Sequence, residues 1–154
     1  MEDRIQAKFE ITELISRYGN CLDAGDFDGL EALFAPDAVF RIVPENGTPP
    51  LEGSRGIRGA IERRWTLVHG GAQRRHVMSN VVVETLDLAR ARAQARTVLV
   101  VYEVAKAAGS QIHVHGMGLY QDELVRQEGG WRFSERCLFL DRTDYFAPGW
   151  VSKR

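Results

Sequence analysis

Arg74-Arg75-His76-Val77-Met78-Ser79-Asn80-Val81-Val82-Val83-Glu84 is the stretch on which the fold of this chain turns. β-Branched residues dominate its second half, the mark of a strand. Alternate side chains of a strand share a face, which puts His76, Met78, Asn80 and Val82 together. A solvent face would be mostly polar, and a plain core face would be apolar throughout. A titratable ring beside apolar side chains fits the wall of a pocket instead. The alternative is a satisfied core or rim histidine, the commoner fate of a lone imidazole.

Upstream of this strand the period is helical. Residues 4–24 carry Ile5, Phe9, Ile11, Leu14, Ile15, Tyr18 and Leu22 near helical spacing. Thr12 interrupts the stripe, and Gly19 weakens its last turns. The helix should stop at Ala24-Gly25, with glycine as the terminating residue. Asp26 or Asp28 would cap a short second helix running through Phe34. Asp28 with Glu31 resembles a capping box. Asp23 is then an anomaly. It sits in the last turn of the first helix, where an acid opposes the macrodipole at a cost of a few tenths to about 1 kcal/mol. A residue that breaks a local rule without evident compensation is a candidate for function; the plainer alternative is a solvated turn aspartate.

Residues 38–43 form a short strand, and residues 44–54 a turn-rich loop. A third helix runs from Gly56 to about His69, with Ile57, Ile61, Trp65 and Val68 as its buried stripe. Gly70-Gly71 ends it, and His69 in its last turn reads as a structural residue whose cationic ring suits the dipole. From residue 74 onward there are strands, at 74–86, about 90–105, about 111–126 and 131–141, with Glu128-Gly129-Gly130 as a tight hairpin. In the second of these, Thr97, Leu99 and Val101 share one face, and Val98, Val100 and Tyr102 the other.

Helices followed by long strands on short turns predict an α+β fold. Its cone-shaped, curved antiparallel sheet would pack against the N-terminal helices around a pocket. The aromatic tail with Tyr145, Phe146, Pro148 and Trp150 would cover the pocket mouth or a subunit contact.

The chain of 154 residues suffices for one domain, taken here as 1–154. Hydrophobic content is 44% and charged content 27%, ordinary for a globular protein. A net charge of −1 gives no reason to expect nucleic acid or a membrane surface as partner. No apolar run approaches the roughly 18 residues of a membrane helix. Cys21 and Cys137 form no CxxC pair and no disulfide scaffold, and cytoplasm is the expected location. His113 and His115 share a strand face at a spacing that metal sites use. No third ligand neighbours them, and alternation with Gly116, Gly118 and Tyr120 turns them away from the expected pocket. No metal is therefore expected.

Four segments, taken in order, carry a family resemblance: Leu22-Asp23-Ala24-Gly25-Asp26-Phe27-Asp28-Gly29-Leu30, Leu33-Phe34-Ala35-Pro36-Asp37-Ala38, Arg75-His76-Val77-Met78-Ser79-Asn80 and Gly130-Trp131-Arg132-Phe133. Together they resemble the SnoaL-like families of the nuclear-transport-factor-2-like superfamily, over nearly the whole chain. Within it the chain looks most like the scytalone dehydratases, bile acid dehydratases and hexachlorocyclohexane dehydrochlorinases. The resemblance implies that Asp23, at the end of the first helix, pairs with His76. Tyr18 matches the tyrosine of the bile acid dehydratases, and Arg136 the arginine of the dehydrochlorinases. Two pocket positions that are polar in scytalone dehydratases appear as Gly116 and Gly118, which implies a roomier pocket and a different substrate.

A neutral imidazole can remove a proton alpha to a carbonyl or beta to a leaving group. A carboxylate on its other nitrogen would orient it. His76, Asp23 and Tyr18 are the expected catalytic residues, and Arg136, Met78, Asn80, Gly118 and Tyr120 the expected substrate-binding ones. Tyr18 is otherwise a core tyrosine, and Arg136 one half of a structural ion pair. The expected function is a cofactor-free, dehydratase-like lyase or an isomerase acting on a small, mostly apolar cyclic molecule. The alternatives are a polyketide-type cyclase with the acid as base, and a non-catalytic protein. The last would be a small-molecule binder or a structural subunit resembling the small subunits of ring-hydroxylating dioxygenases. A homo-oligomer, dimer or trimer, is expected because the outer sheet face needs covering.

Overall fold

The computed structural model describes residues 2–43 and 49–141. The tail residues Tyr145, Phe146, Pro148 and Trp150 lie outside these residues. Three helices, α1 (Glu2–Ala24), α2 (Phe27–Ala32) and α3 (Ser54–His69), accompany six strands. The strands are β1 (Phe34–Val43), β2 (Leu51–Glu52), β3 (Ala72–Asp87), β4 (Arg92–Ala105), β5 (His113–Gln127) and β6 (Gly130–Asp141). They form one curved sheet in the order β2-β1-β6-β5-β4-β3. The four long strands are a meander of antiparallel neighbours. The sheet is mixed rather than wholly antiparallel, because β1 joins β6 in parallel, with Phe40 opposite Arg136. A parallel pair needs a long crossover, and here the whole chain between Val43 and Gly130 supplies it.

Helix α1 buries Ala7, Ile11, Leu14, Ile15, Tyr18 and Leu22 against the sheet. Leu99, Val101, Tyr120, Leu124, Phe133 and Leu138 belong to the same core. Ile5 and Phe9, expected on the buried stripe, are 66% and 62% exposed; at 3.6 residues per turn they lie on the side away from Ile11. Gly19 lets α1 approach β3 closely, since a Cβ there would stand 3.0 Å from the His76 carbonyl oxygen. Asp26, not Asp28, caps α2, accepting the Gly29 N–H at 2.9 Å. Phe34 belongs to β1 rather than to α2.

Two bulges change which side chains share a face. Between Ser79 and Val82, Asn80 and Val81 stand where the partner strand offers one residue, and Asn80 takes a left-handed φ of 51°. An extra residue reverses the alternation. His76 and Met78 therefore point inward, while Val82 is exposed and Val81 and Val83 pack on the core. The second bulge lies at His115. Val101 pairs with Gly116, Tyr102 with Val114 and Glu103 with His113. His113 thus stands in register with Glu103, two residues beyond the inward-facing Val101. The alternation that was expected to turn His113 away from the pocket face is reversed by that one extra residue, although both histidines are exposed and neither lines the cleft of His76.

Gly118 does not enlarge a pocket. A Cβ at this position would lie 2.6 Å from the Phe139 carbonyl oxygen and 3.0 Å from Leu138 Cδ1. Glycine here serves the close approach of β5 to β6. Gly118→Ala should destabilise the protein by about 1–3 kcal/mol in urea denaturation, whereas Gly116→Ala, with nothing within 4 Å of its Cβ, should stay within about 0.5 kcal/mol of wild type.

Candidate active site

Helix α1 ends on strand β3, and the contact is made by the two anomalous residues of the sequence. Asp23 Oδ1 lies 2.8 Å from His76 Nδ1. Both carboxylate oxygens also accept the His76 main-chain N–H, at 3.1 and 3.2 Å. Arg75 Nη1 stands 3.9 Å from Oδ2. These donors offset the unfavourable position of an acid in the last helical turn. The two side chains are 14% and 16% exposed, so the pair is held at a rim rather than sealed in the core. A carboxylate only accepts, so His76 donates through Nδ1–H, and in the neutral ring Nε2 keeps its lone pair. That is the tautomer a general base requires.

His76 lines a cleft of about 70 Å³ between α1, α3 and β3, together with Leu22, Trp65, His69 and Arg74. Trp65 Nε1–H donates to the Leu22 carbonyl at 2.8 Å, which ties α3 to the end of α1. Gly25, at φ 69°, makes room for that indole, since a Cβ would stand 2.9 Å from it. The His69 ring stacks on Trp65 at 4.1 Å, and its Nδ1–H donates to the Trp65 carbonyl at 3.1 Å. Burial holds its pKa below the ordinary value. It is thus disfavoured as the cation that its place in the last helical turn suggested.

The remaining expected residues divide into separate groups. Met78 packs beside His76, its Cγ 3.4 Å from where a Gly19 Cβ would be. Asn80 is exposed at the bulge, and its expected place on the pocket wall is lost. Tyr18, Tyr120 and Arg136 are buried together and do not line the cleft. The Arg136 guanidinium stacks 3.7 Å from the Tyr120 ring, 4.0 Å from Tyr18 and 4.3 Å from Phe133. Its Nε stands 3.3 Å from Asp122 Oδ1, both side chains wholly buried. Its nitrogens make no hydrogen bond among the described residues. The aromatic faces and one carboxylate balance the charge. Of the two readings of Arg136, the structural ion pair is present. Burial raises the Tyr18 pKa and places that of Tyr120 well above the ordinary value, so both phenols stay protonated.

Trp65, His69 and Arg74 line the cleft and Asp122 pairs with the buried Arg136; sequence reasoning assigned none of the four to a site. Two of them carried a signal. Arg74 lies two residues before His76 on the same face of β3, and Asp122 alternates with Gly118 and Tyr120 on β5. The sheet also brings Glu103 to His113 and His115, a third metal-ligand type that the sequence did not place beside them.

Burial pushes the Asp122 carboxyl up to about 6 from 3.8, against the opposing pull of Arg136. The folded protein therefore retains this proton across a range in which the unfolded chain has released it. From this group, stability is greatest below the unfolded value and declines as pH rises toward about 6, by a few kcal/mol. The stability of wild type relative to Asp122→Asn should accordingly fall between about pH 4 and pH 6 in urea denaturation. A flat difference would show that Asp122 is already ionised at the lower pH.

The model of the SnoaL-like domain matches residues 3–137. Among solved structures, a nuclear-transport-factor-2-like protein with a cystatin-like fold from Novosphingobium aromaticivorans is 25% identical, with a TM-score of 0.78. The match covers 92% of this chain and 86% of that one. Aln2 from a Streptomyces species is 26% identical, TM-score 0.72, with 90% and 92% covered. ActVI-ORFA from Streptomyces coelicolor, at 22% identity and TM-score 0.71 over 87% and 96%, shares the fold. No curated protein matches the chain significantly. No helix among the described residues is long and apolar enough to cross a membrane. The matched length and the three helices on a curved six-stranded sheet agree, and the chain belongs to the SnoaL-like family.

Proposed function

We propose that this chain is a lyase or isomerase in which His76, held by Asp23, is the general base for a small, mostly apolar cyclic substrate. The observation that carries the proposal is the 2.8 Å contact from Asp23 to His76 Nδ1 beside the cleft. In the step envisaged, Nε2 takes the proton alpha to a ring carbonyl. The C–H electron pair moves into the carbon–carbon bond, and the carbonyl oxygen becomes an enolate. Asp23 stabilises the imidazolium formed. Expulsion of a beta hydroxyl as water, with the proton returned by His76, completes a dehydration. Reprotonation at another carbon completes an isomerisation instead.

The cleft is small beside the roughly 300–1,000 Å³ of ordinary ligand pockets. Entry of a ring would therefore require α3 to move. Of its sixteen residues only Ile57 is fully buried, so this helix is the weakly held wall. The same narrowness favours the second reading, a non-catalytic binding or scaffold protein. A homo-oligomer remains part of the proposal. Val77, Tyr102, Val114 and Met117 are exposed on neighbouring strands, where a second copy could cover them.

A panel of cyclic beta-hydroxy ketones in deuterated water separates these readings. Wild type should accelerate deuterium uptake at the alpha carbon, or the rise of enone absorbance. His76→Ala should lose about a hundredfold to ten-thousandfold of that rate, and Asp23→Asn should lower kcat far more than it changes KM. Ligand binding without exchange, or exchange unaffected in His76→Ala, would overturn the base assignment and leave the binding role.

A further inference from the structure

Glu103, His113 and His115 are outside the site described above, yet the second bulge gathers them at one end of the sheet. Their candidate ligand atoms all lie within 4.8 Å of one another. His113 Nε2 is 3.7 Å from Glu103 Oε1, and His115 Nδ1 is 3.4 Å from Oε2. Donor atoms about 2.0–2.2 Å from a zinc-like ion sit roughly 3.0–3.5 Å apart, so each histidine nitrogen already stands near that distance from one of the two Glu103 oxygens. We propose that Glu103, His113 and His115 form a binding site for a divalent transition-metal ion of the zinc type.

Two imidazoles and one carboxylate suit borderline ions and disfavour magnesium or calcium, which prefer oxygen ligands alone. Arg74 Nε donates to Glu103 Oε2 at 2.6 Å. It orients the carboxylate and leaves Oε1 on the His113 side for the ion; Arg74 Nη2, 3.5 Å from His115 Nδ1, has to turn aside for that nitrogen to join. The His113 and His115 side chains are 56% and 37% exposed, so the ion can enter from solvent and keep positions for water. Glu103 is paired with His113 and, across the other edge of β4, with Arg74, which also lines the cleft of His76. The ion would therefore stand at the rim of that cleft, one strand over from its wall, with an open position for a ligand oxygen. It would also pin the start of β5 to the end of β4.

Untagged, chelator-treated protein titrated with Zn²⁺ in a calorimeter should bind about one equivalent saturably, and Mg²⁺ should give no comparable signal. His113→Ala and His115→Ala should each weaken Zn²⁺ binding by about tenfold or more, and each should lose the thermal stabilisation that Zn²⁺ gives wild type. His69→Ala should bind as wild type does. Absence of saturable binding, or binding unchanged in both variants at unchanged fold by circular dichroism, would overturn the site.

Discussion

One seam organises this molecule: the end of α1 against β3, where the Asp23 carboxylate receives two donors from His76. A helix C-terminus repels an acid, and an edge strand has unpaired main-chain donors. Each liability answers the other here. The main-chain N–H of His76 points out of β3, and the carboxylate pairs with it. The imidazole then follows as a second donor. Gly19, one turn earlier, permits the approach by offering no Cβ to the His76 carbonyl. The orientation of the ring is thus a product of how α1 docks.

Beneath this seam lies a core that is unusually charged. Arg136 and Asp122 are wholly buried, enclosed by the rings of Tyr18, Tyr120 and Phe133. A buried ion pair rarely stabilises a fold relative to apolar side chains of the same volume, though removal of one partner is costly. Its consequence here is geometric. It fills the inner part of the cone beneath α1 with stacked groups, and the cleft beside His76 lies at the rim, against the weakly buried α3.

The order of elements and the oddity of Asp23 and of His76 were legible in the sequence because each rests on local rules, whereas their pairing was implied only by the family resemblance. Helical spacing, a terminating glycine and an acid on the wrong end of a helix are readable within a few residues. Less accessible were features set by pairing between distant strands. One extra residue at Asn80 sends it to the surface, and one at His115 brings His113 into line with Glu103; neither bulge disturbs the local pattern of residue types. The parallel seating of β1 on β6 is likewise invisible in β1 itself. The need for glycine at 118 is hidden for the same reason, since its cause is the Phe139 carbonyl on the neighbouring strand. Arg136 was ambiguous in sequence because its partner, Asp122, is a cross-strand neighbour rather than a chain neighbour.

The most direct test of the central claim is the tautomer of His76, read from the ¹⁵N shifts and ring couplings of the labelled protein with its imidazole neutral. The account requires the proton on Nδ1, facing Asp23, with Nε2 unprotonated, and a change toward the Nε2–H form in Asp23→Asn. A wild-type ring protonated on Nε2, or one indifferent to the loss of the Asp23 charge, would contradict it.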